Sequence, residues 1–144
     1  MNSEALSAFL KYHRKQAVLT QEELANKSGV GLATIRDMEQ GKQTLQLDSV
    51  NKVLALFGYE MRPEKCTIDP YVIWRDYFNK AVVIKNKSRH ENFGIIIQEI
   101  RDDENRIVGW RFVPNRNAIA WQKKPGESLE ETINHNEIDE IRLQ

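Results

Sequence analysis

Residue types capable of covalent or metal chemistry are present but scattered. His13, His90 and His135 lie far apart, Cys66 is the single cysteine, and none stands at a metal-ligand spacing. Ser88 and His90 are two residues apart, which in a strand does not by itself build a catalytic triad. These patterns point away from an enzyme and call for no cofactor and no metal. Hydrogen-bonding chemistry is denser between Gln21 and Lys42. Arg36 carries a planar fork of donors that suits a guanine edge or a phosphate. Its neighbour Asp37 can accept from a cytosine amino group, act as a repulsive filter, or orient Arg36. Leu32 and Ala33 offer apolar surface that can meet thymine methyls. Lys27 and Lys42 are either phosphate contacts or solvated charges.

Such chemistry needs side chains held on one face of a rigid element, and the apolar spacing predicts four helices to hold them. The first, from about Ser3 to Gln16, places Leu6, Phe9 and Leu10 on one face. The second starts at Thr20, whose hydroxyl forms a capping box with Glu23, and ends at Gly29, where a left-handed backbone is needed. Val30 and Gly31 turn the chain into a third helix, Leu32 to Gln40, stopped by Gly41. The fourth, Leu47 to Phe57, carries Leu47, Val50, Leu54 and Phe57 on one side and closes at Gly58. Ala25 must be small where the third helix crosses the second. Val30, Ile35 and Met38 form the apolar side of the third helix. Its opposite side, with Leu32, Ala33, Arg36 and Asp37, is then free to enter a major groove.

The run Leu19-Thr20-Gln21-Glu22-Glu23-Leu24-Ala25, then Ser28-Gly29-Val30, then Thr34 to Lys42 resembles the Xre family of phage-repressor and Cro-like helix-turn-helix domains. That family's pattern is Leu-Thr-Gln-x-x-Leu-Ala, then Gly-Val, then x-x-x-Ile-x-x-x-Glu-x-Gly. The resemblance covers about the first sixty residues and implies a lambda-repressor-like fold with double-stranded DNA as its partner. It also implies that Gln21 and Thr34 bond the sugar-phosphate backbone, Gln21 from a helix N-terminus where free N–H groups favour anions. In the family a glutamate on the core side of the third helix pairs with an arginine of the first. Glu39 and Arg14 stand at those places; the alternative is two unrelated surface charges. Gly31 departs from the serine or threonine that often caps the recognition helix, a loss of at most about a few tenths of a kcal/mol. The apolar first turn leaves few hydrogen bonds for bases.

Lysine plus arginine number 21, as do aspartate plus glutamate, so there is no global basic footprint and DNA binding would rest on one positive face. The composition is that of a soluble globular protein. No apolar run, Gly94 to Ile97 among them, comes near the ~20 residues of a spanning helix. No secretory signal is visible, and a lone cysteine fits a reducing cytoplasm.

The helical period gives way to near-alternating polarity across a polar stretch between Pro63 and Pro70. A DNA-binding domain over 1–62, a linker over 63–70 and a β-rich domain over 71–144 are expected. In the last, Tyr71–Asn79 reads as a short helix or turn, and Glu127–Ile133 as a short helix. Ala81–Lys85, Phe93–Arg101, Arg106–Val113, Ala118–Gln122 and Ile138–Leu143 read as strands, with Asp102–Asn105 as a hairpin loop. The fold class is therefore α+β, an all-α helix-turn-helix domain followed by a small antiparallel sheet or partly closed barrel. Trp74, Trp110 and Trp121 are core or interface residues. The basic block from Arg106 to Lys124 and the acidic block from Glu127 to Glu140 either pair with each other or leave an extra basic surface. Tyr59-Glu60-Met61-Arg62 reads as a strand that pairs with its copy across a two-fold axis or joins the second sheet. The function expected is that of a homodimeric repressor on a pseudo-palindromic operator. The alternative is an antitoxin-like protein that holds DNA with its first half and a toxin partner with its second.

Overall fold

The structure, a computed structural model, describes residues 2–144. The chain folds as two compact units, one ending at Glu64 and one starting at Lys65. No helix among the described residues is long and apolar enough to cross a membrane.

The first unit is built from α1 (Ser3–Gln16), α2 (Gln21–Ser28), α3 (Leu32–Glu39) and α4 (Leu47–Leu56). Each helix starts where the local chemistry allows it. Asn2 accepts from the Ala5 N–H at α1. At α2 both arms of the capping box form, Glu23 N–H to the Thr20 hydroxyl at 3.1 Å and Thr20 N–H to the Glu23 carboxylate at 2.8 Å. Gly29 ends α2 at φ 72°, a left-handed conformation that lets its N–H reach the Ala25 carbonyl without a Cβ penalty. The four helices close on Leu6, Leu10, Leu24, Ile35, Met38, Val50, Val53 and Leu54, with Phe9 and Phe57 packed at the edge. Val53, and not Leu47, completes the buried side of α4; Leu47 is exposed. After α4, residues Tyr59–Arg62 form no strand and join no sheet. They are tied back to the helices instead: Met61 N–H donates to the Asn51 amide oxygen at 2.8 Å, and the Tyr59 ring meets Phe9 edge-on.

The second unit opens with the short helix α5 (Pro70–Val72), which runs into a π-helical turn over Ile73–Tyr77. It continues through β1 (Ala81–Asn86), β2 (Glu91–Arg101), β3 (Ile107–Pro114), α6 (Asn115–Lys123), β4 (Glu131–Asn134) and β5 (Ile138–Leu143). All pairings are antiparallel, in the order β4-β3-β2-β1-β5. β4 and β5 therefore lie at opposite ends of an open sheet, not in a closed barrel. Ile73, Val82, Ile84, Ile96, Trp110, Phe112, Ile133 and Ile138 make its core, and Ile68 packs against it.

Within the second unit two further elements differ from the sequence reading. Ala118–Gln122 is not a strand but lies within α6: the run Ala118-Ile119-Ala120 is too short for its periodicity to separate strand from helix, and alanine favours the helix once Pro114 has ended β3. Of Glu127–Ile133, only Glu127–Leu129 is helical, as a 3-10 turn, and Glu131–Asn134 is β4. Ile133 is buried between exposed Thr132 and Asn134, a period of two that a strand satisfies and a helix does not. The β2–β3 hairpin sits where Asp102–Asn105 predicts it. The Asp102 carboxylate accepts from the N–H groups of Glu104 and Arg106, and Asn105 takes φ 63°.

Candidate nucleic-acid interface

The candidate reading element, α3, is pinned from behind. Ile35 and Met38 are buried among α1, α2 and α4, and Glu39 is buried beside them. A carboxylate there is costly unless paired and hydrogen-bonded, and this one is fully engaged. Arg14 of α1 grips it with two nitrogens, Nε to Oε1 at 2.5 Å and Nη2 to Oε2 at 3.0 Å. Gln21 of α2 donates its Nε2 to Oε2 at 2.9 Å. The Arg14 Nη1 also holds the Leu19 carbonyl at 2.9 Å, and the Ser7 hydroxyl donates to the Glu39 backbone carbonyl. Side-chain exposure is 3% for Glu39 and 15% for Arg14. Burial drives the Glu39 carboxyl upward, but the bonds from Arg14 and Gln21 outweigh it and hold it below its ordinary value. One buried anion thus links α1, α2 and α3 and fixes the angle at which α3 leaves the domain.

The opposite side of α3 faces outward. Ala33 and Arg36 are exposed, Thr34 and Asp37 half-buried. Gln40, four residues past Arg36 and on the same side, is also exposed; α3 ends just before it, and the period of three and four could have flagged it. Leu32 is half-buried and packs against the domain core, so only part of its side chain is left for a partner. Asp37 is not a bare acceptor: its carboxylate takes a 2.8 Å bond from the Lys42 ammonium. Arg36 is the cation of this face with no salt bridge among the described residues. Gly31 supplies no side-chain cap, so the first N–H groups of α3 are left without a side-chain partner. Lys27 is exposed in the last turn of α2, at the end remote from Gln21. The arrangement presents a guanidinium, a methyl, an amide and a paired lysine on a helix whose own position is locked.

In the second unit the charge blocks pair with each other. Arg111 bridges Glu127 and Glu130, Arg116 pairs with Glu131, and the Trp121 indole donates to Glu130. Trp110 is fully buried and Trp121 half-buried, whereas Trp74 is exposed. A polar pair that no spacing in the sequence announces lies in this core. The Trp110 indole N–H donates to Nδ1 of buried His135 at 3.1 Å, and His135 Nε2 reaches the Ile68 carbonyl at 2.8 Å. The ring therefore carries its hydrogen on Nε2.

Four helices, a glycine-ended second helix and an outward third helix held by a buried ion pair define a helix-turn-helix protein. A helix-turn-helix family model matches residues 10–63. An uncharacterized HTH-type transcriptional regulator of Sinorhizobium fredii, y4mF, is 41% identical over 64 residues, which span 44% of this chain and 75% of that protein. The chain belongs to the Xre-like helix-turn-helix family.

Proposed function

We propose that the chain is a sequence-specific DNA-binding transcriptional regulator of the cytoplasm, acting as a homodimeric repressor on a pseudo-palindromic operator. The observation that carries this reading is the exposed, unpaired Arg36 beside Ala33 on a helix buttressed by the Arg14–Glu39–Gln21 cluster. A guanidinium so placed can take both acceptors of a guanine in the major groove. Thr34 and Lys42 flank it and reach the phosphates, Lys42 carrying Asp37 with it as a local counter-charge. Gln21 serves twice: its amide nitrogen supports Glu39, and its remaining amide groups at the start of α2 face the backbone. The family membership and the transcriptional-regulator name of the Sinorhizobium relative support the same reading.

Dimerisation follows from information content. One domain of this size reads only a few base pairs, too few to single out a site in a genome, and a two-fold dimer doubles them. Footprinting of genomic DNA tests this. The expected pattern is two inverted half-sites with centres about 10 base pairs apart, or a multiple of that. Protection of a lone half-site by a monomer contradicts the dimer, and the absence of any sequence-dependent protection contradicts the function.

A further inference from the structure

The second unit exposes two large aromatic side chains side by side where the fold does not require it. Tyr71 and Trp74 are 60% and 53% exposed, with ring centroids 6.4 Å apart and planes inclined at 37°. They line, together with Asp69, Glu99, Arg101 and Ile107, an open cavity of about 510 Å³. That volume lies within the range of small-molecule sites, which combine an apolar lining with a few placed polar groups. Water-facing tryptophan and tyrosine forfeit the large burial that such rings otherwise contribute.

The backbone beneath them is unusual as well. The chain passes from α5 into a π-helical turn over Ile73–Tyr77, a rare conformation that recurs at functional sites. Ile73 anchors the turn in the sheet core while the neighbouring Trp74 stands in solvent. Asp69 sets the start of the segment by accepting from the Tyr71 N–H at 2.9 Å.

Charge selects the ligand. The wall holds two carboxylates and one guanidinium. That guanidinium is committed: Arg101 donates to the Asn105 carbonyl at 2.9 Å and lies 3.7 Å from Glu99. Asp69 makes no salt bridge among the described residues; the Arg75 guanidinium acts on it through space but is itself paired with Asp76, so the lining, with two carboxylates and one guanidinium, carries a surplus negative charge. One aromatic already holds a cation, since the Arg75 guanidinium lies 5.8 Å from the Tyr71 ring centre while bonded to Asp76 by two nitrogens. An aromatic wall with surplus negative charge disfavours anions and stabilises a diffuse positive charge on an apolar body.

We propose that this cavity is a binding site for a small organic ammonium ion, held between the Tyr71 and Trp74 rings and the Asp69 and Glu99 carboxylates. The site lies wholly within the second unit and does not depend on the DNA-binding reading. NMR titration of the full chain tests it, with the Trp74 indole N–H as reporter and choline as probe. Choline should shift that resonance saturably, about tenfold more tightly than its neutral isostere 3,3-dimethyl-1-butanol. Trp74→Leu, which keeps apolar bulk but removes the π face, should weaken the choline response followed at the Tyr71 amide by a similar factor. Glu99→Gln should weaken it with the aromatic wall intact. Equal binding of the isostere would make the cavity merely apolar and overturn the proposal. So would the absence of saturation by choline below roughly 10 mM, or retention of full choline affinity in Trp74→Leu.

Discussion

At Glu39 the energetics of a single residue can be read from its surroundings. The carboxylate is buried and its two strongest partners come from other helices, so truncation leaves Arg14 and Gln21 facing a void. Glu39→Ala is expected to destabilise the first unit by about 3 kcal/mol, the lower end of what breaking a buried pair costs, measured by thermal or urea unfolding. The pH dependence has a definite sign. Because the folded carboxyl is held below its unfolded value, the pair's stabilisation is complete above about pH 4.3 and is lost as pH falls through the folded value. Glu39→Gln should flatten that acid limb, leaving the part due to Glu23, whose carboxyl is also held low by the Thr20 N–H and hydroxyl. A second residue carries strain. Val18, between α1 and α2, sits at φ 57° with 87% exposure, a left-handed conformation that a β-branched side chain resists. Val18→Gly should stabilise by about 1 kcal/mol, since relief of that strain outweighs the added freedom of the unfolded chain. An unchanged or lower melting temperature would show that the Val18 side chain contributes something its exposure does not reveal.

Elements are legible in the sequence to the extent that their signals are local. The capping box at Thr20, the left-handed Gly29 and the hairpin at Asp102–Asn105 all lie within a few residues of their cause, and each forms where the sequence places it. The Arg14–Glu39 pairing is legible only through family resemblance, because 25 residues separate the partners. The addition of Gln21 to that cluster has no signal in spacing at all. α6 and β4 depart from expectation because their apolar runs are too short for periodicity to decide, and the deciding partner of β4 is β3, distant in sequence. The pairing of His135 with Trp110 is invisible for the same reason. Close approach of β2 and β3 makes one further element testable. Gly94 sits where a Cβ would collide with the Val113 carbonyl and lie 2.6 Å from Cζ of Phe112. Gly94→Ala therefore forces the two strands apart and should cost about 1–3 kcal/mol, seen as a lowered unfolding midpoint. No effect on the midpoint would mean that β3 can shift freely at this point.

For the whole molecule, each unit has a core of its own, so substitutions in the helical unit and in the β-rich unit act on different sets of packed side chains. In the proposed function, α3 reads base sequence through Arg36. The most direct test is a fluorescence-anisotropy titration of wild type and Arg36→Ala on the footprinted operator and on a shuffled duplex, at one fixed salt concentration. Arg36→Ala should lose roughly 1–3 kcal/mol on the operator and little on the shuffled DNA, with preference relaxed at one base position in each half-site. Equal operator affinity for the two proteins would contradict that role of Arg36.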